Sequence, residues 1–149
     1  MTGSPFSGAS RLLLLLDTHV LVWLVFGEKM LGLNAKQAIV EASGTDRVRI
    51  SAITPWEIGV LVSKKRIDLR QDALAWMRSA LALPGVRLTP MSPEVAIAST
   101  RLPWDIHSDP ADRVLAATAR HLGAVLVTAD QRLLNYAGDK HFHAMDARL

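Results

Sequence analysis

Four acidic residues stand where an apolar run meets a helical pattern: Asp17 after Leu12 to Leu16, Glu57 in Thr54-Pro55-Trp56-Glu57, Asp112 in Asp109-Pro110-Ala111-Asp112, and Asp130 after Ala124 to Thr128. Singly, each has an ordinary structural use. Asp17 (or Thr18) and Asp130 suit the N-caps of following helices, whose first N–H groups lack partners. Glu57 and Asp112 each follow a cap-and-proline pair at the spacing of a capping box, in which the acid returns a hydrogen bond to the cap. Ser92-Pro93-Glu94 carries the same cap and proline with its acid one position earlier, so such a start alone marks no catalytic acid. As a set, the four read differently. Carboxylates gathered in a partly desolvated crevice repel one another, and a divalent cation offsets that repulsion. All-oxygen ligation selects Mg²⁺ or Mn²⁺ over zinc. Such an ion activates water, polarises a phosphoryl oxygen and stabilises the leaving oxygen, which suits phosphodiester hydrolysis with no nucleophilic side chain. Four independent caps stand as the competing reading.

Other residues could serve the same site. His107 lies just before the Asp109 helix and could bind phosphate or shuttle a proton. Asp109 is read as the N-cap, with a supporting role beside the metal as the sharper alternative; Arg113 could reach a phosphate or Asp109. Trp23, Trp56 and Trp76 fall within apolar-periodic stretches and are read as core. No glycine-rich phosphate loop, nucleophile elbow or Cys/His metal spacing occurs.

The acids need elements to position them. Apolar runs at Leu12 to Leu16, Val48 to Ala52, Val86 to Leu88, Ala124 to Thr128 and Phe142 to Met145 predict five strands, and the intervals fit crossover helices. The first and fourth runs are almost wholly apolar, as parallel strands buried on both faces should be. Ligands of such sheets bind outside the carboxyl ends of the strands, where Asp17 and Asp130 fall. Pro55, Pro93 and Pro110 each read as the first residue of a helix capped by Thr54, Ser92 or Asp109. Asn34 reads as the cap of a helix over Ala35 to Ala42, and Gly123 as the end of one over Val114 to Leu122. The result is an alternating α/β domain.

Composition limits the alternatives. At 149 residues and 50% hydrophobic content, the chain fits one domain, read as 11–149 behind a small, polar, flexible tail at 1–10. The absence of cysteine removes disulfides and thiolate metal sites, and accords with a reducing compartment. The run Leu12 to Leu16 is too short for a signal peptide and ends on Asp17, and no stretch reaches the roughly 18 apolar residues of a membrane span, so a soluble protein is expected. Seventeen Lys and Arg against fourteen Asp and Glu give +3, with a pI near 9.7, which favours polyanionic partners without proving one. The basic residues are dispersed; Lys64-Lys65-Arg66 is the one compact run.

Leu13-Leu14-Leu15-Leu16-Asp17-Thr18-His19-Val20-Leu21-Val22-Trp23, Ser51-Ala52-Ile53-Thr54-Pro55-Trp56-Glu57-Ile58, Asp109-Pro110-Ala111-Asp112-Arg113 and Val127-Thr128-Ala129-Asp130 together resemble the PIN-domain family, specifically the VapC-type toxins of bacterial toxin–antitoxin pairs. The resemblance runs in order from about Leu12 to Met145. It implies a three-layer α/β/α fold around a central parallel sheet and a cytoplasmic, metal-dependent endoribonuclease. Asp17, Glu57, Asp112 and Asp130 match the family's acidic positions, with Asp17 and Asp112 implied as direct ligands of Mg²⁺ or Mn²⁺. Thr18 and Thr128 match its supporting hydroxyls. It also implies an RNA substrate, a homodimer and a small antitoxin whose tail covers the acidic crevice. Leu133 and Leu134 depart from the pattern, standing where an aromatic is frequent.

Three rival readings are weighed against this one. An aspartate-nucleophile phosphatase normally wants a second Asp where His19 stands. A phospho-receiver domain wants paired acids after the first strand and a Lys where Thr128 stands. A binding module that holds RNA or a partner without cutting is the alternative from another class, and intact acids at all four positions argue against it.

Overall fold

A computed structural model describes residues 12–103, 109–138 and 142–149. In chain order the elements are β1 (Leu14–Leu16), α1 (Thr18–Phe26), α2 (Leu33–Ser43), β2 (Val48–Ser51), α3 (Ile53–Ser63), α4 (Ala73–Leu81), β3 (Val86–Thr89), α5 (Pro93–Ser99), α6 (Pro110–Leu122), β4 (Val125–Thr128), α7 (Gln131–Gly138) and β5 (His143–Asp146). The strands form one sheet in the order β3-β2-β1-β4-β5, every neighbouring pair parallel. β1 lies at its centre, so its carboxyl end opens between those of β2 and β4. Strand ends differ from the apolar runs by a residue or two: β1 starts at Leu14, where the chain first pairs with the sheet, and β3 runs on to Thr89.

The two-residue alternation of strand side chains divides the core. Leu14 and Leu16 of β1, with Val48, Ile50, Val125 and Val127, pack against α1, α2, α3 and α4 through Val20, Leu21, Ile39, Ile58 and Trp76. Leu15 and Leu126 face the other way, against Leu115, Ala116 and Ala119 of α6 and Leu133 and Tyr136 of α7. Helices thus cover both faces and the chain is a three-layer α/β/α structure, as expected. α5 is one step further out, held to α6 by Val95, Val114 and Ala117.

Helix boundaries follow local chemistry. Asp17 is the N-cap of α1, Ser92 accepts from Val95 N–H at 3.2 Å at the start of α5, and Asp109 accepts from Ala111 N–H at 3.0 Å at the start of α6. Gly123 ends α6 in the left-handed region (φ 62°), the conformation its position suggested.

Two expected caps are corrected. α2 begins at Leu33 behind Gly32, so Asn34 lies inside the helix. α3 begins at Ile53, which places Thr54 and Pro55 second and third in the helix and removes the capping box. The N–H of Ile53 is instead taken by the Ser51 hydroxyl at 3.1 Å. The tandem Ser51-Ala52-Ile53-Thr54 offers two hydroxyls, and tertiary packing assigns the first to the helix end and the second to the interior. Trp56 is also corrected: it is 55% exposed, whereas Trp76 is buried and Trp23 packs partly against the core.

Candidate active site

Asp17 leaves the central strand directly into α1, with its N–H donated to Val127 O of β4 at 3.0 Å. Its carboxylate is 7% exposed and fully engaged: Oδ1 accepts from Thr18 N–H at 2.7 Å and Oδ2 from the Thr128 hydroxyl at 2.6 Å. Thr128, at the end of β4, also accepts from Asp130 N–H at 3.0 Å. One hydroxyl therefore fixes Asp17 and the turn bearing Asp130. Asp130 in turn caps α7, its Oδ1 accepting from Arg132 N–H at 2.8 Å and Leu133 N–H at 3.3 Å.

The second side of the crevice is α3. Thr54 is fully buried, with its hydroxyl 3.0 Å from that of Thr18, which joins the start of α3 to the start of α1. Glu57, one turn later, is half-buried, and the nearby Thr18 side chain favours its charged form. Its Oε1 is shielded from solvent and has no hydrogen-bond partner among the described residues. A charge-bearing oxygen in that position is costly unless a cation or proton meets it.

The third side is α6. Asp112, in its first turn, is 6% exposed. Burial, then the charges of Asp17, Asp109, Asp130 and Glu57, push its carboxyl up to about 8. Glu57 is raised by burial and by Asp17 and Asp109, against the pull of Thr18 and of His19. Asp17 is raised by burial despite its two hydrogen bonds, with Asp130 adding to the rise and His19 opposing it. The structure thus brings the four expected acids into one another's fields at the carboxyl end of the sheet, and Asp109 joins them. Two are also caps, Asp17 and Asp130, so capping and clustering coexist.

Arg113 Nη1 donates to Ser99 O at 3.3 Å, turning that part of its guanidinium to α5. His107 lies outside the described residues. Three further residues, to which the sequence assigned either no role or only a cap, act at or beside this crevice. His19 is exposed on the first turn of α1, and its charge acts on Asp17 and Glu57. Ser51 and Thr54 position α3; their signal, hydroxyls either side of a strand-to-helix junction, was present but could not be divided between two roles.

The donor set, all carboxylate oxygen with one buried oxygen unmet, fits a hard divalent cation. As placed, however, no group of three His, Asp or Glu side chains among the described residues is arranged to hold a metal ion. Nor is any helix of the described residues long and apolar enough to cross a membrane.

Comparison with known proteins places this crevice in a family. The family model described as "PIN domain" matches residues 14–139, a span that includes all four acids. Ribonuclease VapC22 of Mycobacterium tuberculosis is 36% identical over 122 residues, 82% of this chain and 90% of its own length. Among solved structures, the VapBC2 complex of Rickettsia felis bound to a promoter DNA fragment matches with a TM-score of 0.65 at 15% identity, covering 90% of this chain and 98% of its own. A DNA-bound VapBC from Salmonella typhimurium gives 0.64 at 17%, covering 91% and 98%. A toxin–antitoxin complex from Klebsiella pneumoniae gives 0.57 at 23%, covering 89% and 96%. Motif order, the parallel sheet and these matches agree: the chain belongs to the PIN-domain family, among its VapC-type members.

Proposed function

We propose that this protein is the toxin of a toxin–antitoxin pair: an endoribonuclease that hydrolyses RNA phosphodiester bonds with Mg²⁺ or Mn²⁺ held by Asp17, Glu57, Asp112 and Asp130. The observation that carries the reading is the gathering of these acids at one end of the sheet, where Glu57 Oε1 is buried with no partner among the described residues; burial and then mutual repulsion push the Asp112 carboxyl up to about 8. A fold maintains such repulsion at a cost to stability, which a bound cation removes. The ribonuclease relative and the VapBC neighbours support the activity and a small antitoxin as partner.

The cation would supply an activated water and stabilisation of charge on the phosphate. The residues do the rest. The Thr128 hydroxyl fixes Asp17 Oδ2, and the Thr18 N–H fixes Oδ1, so this carboxylate presents one rotamer to the crevice. Thr18 and Thr54 join the starts of α1 and α3 and so set Glu57 at the crevice, where its shielded Oε1 would face the ion. Asp112 and Asp130 complete the acid set from α6 and from the β4–α7 turn and would hold the ion with Asp17 and Glu57. Asp109 supports the rim of α6, and His107 and Arg113 are assigned to the substrate side. The nuclease domain is taken as 11–149. Homodimers in the cytoplasm, where RNA and antitoxin meet, are the working form.

The test is cleavage of several structured RNAs with Mg²⁺ or Mn²⁺ by the intact chain beside Asp17→Ala and Glu57→Gln. Both variants should lose metal-dependent cleavage. Glu57→Gln should keep its stability within about 1 kcal/mol, since its amide matches the carboxyl in size and hydrogen-bonding reach. Equal cleavage by all three proteins, or by none, refutes the assignment. Retained RNA binding with no cleavage favours a binding module on the same fold.

A further inference from the structure

Trp56 and Lys64 give α3 a use beyond holding Glu57. Trp56 immediately precedes Glu57 yet is 55% exposed, although large aromatics in apolar stretches belong in the core. Successive helix residues are about 100° apart, so with Thr54 and Ile58 buried, Trp56 lies on the solvent side of Glu57. Beside it on the same exposed surface is Gly59, which has no side chain to lay against the indole. Seven residues beyond Glu57, about 10 Å along the axis, Lys64 caps the carboxyl end of α3 near the same edge. Lys64, Lys65 and Arg66 are all exposed there.

Resting on the nuclease reading, we infer that α3 is a track for single-stranded RNA: Trp56 stacks on a base beside the scissile phosphate, and Lys64 with its neighbours holds a phosphate further along the strand. Charge decides for RNA over a protein partner, because the one compact basic run of the chain closes the helix that opens on an exposed indole beside the acids. Aromatic platforms and basic residues in line are how single strands are held without base-specific contacts. Cleavage preference then depends on the base that Trp56 stacks, through stacking strength.

The experiment measures fluorescence anisotropy of a labelled ten-nucleotide single-stranded RNA with the Asp112→Asn protein in Mg²⁺, so that binding is read without cleavage. Adding Trp56→Ala should weaken Kd about tenfold. Trp56→Phe should recover most of that loss. Lys64→Ala should weaken binding and flatten the salt dependence by about 0.7 in log–log slope, one phosphate contact fewer. In the otherwise active chain, Trp56→Ala should raise KM. A Kd unchanged by Trp56→Ala, an absence of RNA binding by the Asp112→Asn protein, or a Trp56→Ala loss that coincides with altered sedimentation mass of the protein alone overturns the track, the last in favour of a protein interface. The two readings fail separately. Cleavage by the intact chain with binding indifferent to Trp56 keeps the nuclease and removes the track, whereas Trp56-dependent binding with no cleavage does the reverse.

Discussion

Replacing Asp112 by Asn tests the electrostatic core of the site without asking for activity. The carboxyl is 6% exposed and pushed from 3.8 to about 8, chiefly by burial and then by Asp17, Asp109, Asp130 and Glu57. The sign follows from which state binds the proton. Between pH 4 and pH 8 the folded chain holds a proton that the unfolded chain releases, so this group makes stability fall as pH rises. Below pH 4 both states are protonated and the effect is absent; above pH 8 both are ionised and it is complete. At pH 7 the difference amounts to at most about 4 kcal/mol, at about 1.4 kcal/mol per pH unit. The amide must itself be desolvated, which leaves a net gain of about 2 to 4 kcal/mol for Asp112→Asn. For a domain of this size that raises Tm by about 5 to 15 °C. The assay is thermal unfolding of both proteins in EDTA from pH 4 to pH 9, then in saturating Mg²⁺ or Mn²⁺. In EDTA the gain should grow with pH and level off near pH 8. Added metal should stabilise the original chain by about 3 kcal/mol at a hundredfold excess over Kd, and the Asn variant by much less. An Asn variant no more stable at pH 7 than its parent, or a gain that does not vary with pH, refutes the argument that repulsion among buried acids is held in the fold.

Three further substitutions probe the framework. Thr128→Val removes the donor to Asp17 Oδ2 and the acceptor of Asp130 N–H, and should destabilise by about 1 to 3 kcal/mol in chemical denaturation, with Thr128→Ser largely sparing it. Ser51→Ala should cost about 1 kcal/mol by the same measurement, because its hydroxyl and not that of Thr54 takes the first N–H of α3. Gly85→Ala should cost more than about 2 kcal/mol, since φ there is 76° and a Cβ would sit 1.9 Å from Ser43 O; a variant as stable as the parent would show that the β3 approach is free to move.

The fold was legible because its signals are local or periodic. Short apolar runs bounded by turn or cap signals read as strands buried on both faces, and residues such as Asp17, Ser92, Asp109 and Gly123 cap helices through chemistry within a few positions. At Thr54 and Trp56 the local pattern misled. A hydroxyl followed by proline looks the same whether it caps a helix or reaches across to Thr18, and an apolar-periodic tryptophan looks the same whether the core has room for it or not. Both are settled by how α3 leans on α1 and the sheet, and that lean depends on contacts far apart in the chain.

The four acids show the same division. By itself the sequence determined their types, their order, and the places of Asp17 and Asp130 at strand ends and of Glu57 and Asp112 near helix starts; with no cysteine to offer thiolate, an oxygen-lined cation site was the best reading of the set. It left each acid as good a cap as a ligand. Only the tertiary structure decided that Asp17 and Asp130 are caps and members of the cluster at once, that Glu57 caps nothing and carries a buried oxygen without a partner, and that Asp112 stands in the field of all the others. The reason is that Coulomb and desolvation energies depend on separation and burial in space, and the parallel order β2-β1-β4 brings together residues 17, 57, 112 and 130, which no local pattern relates.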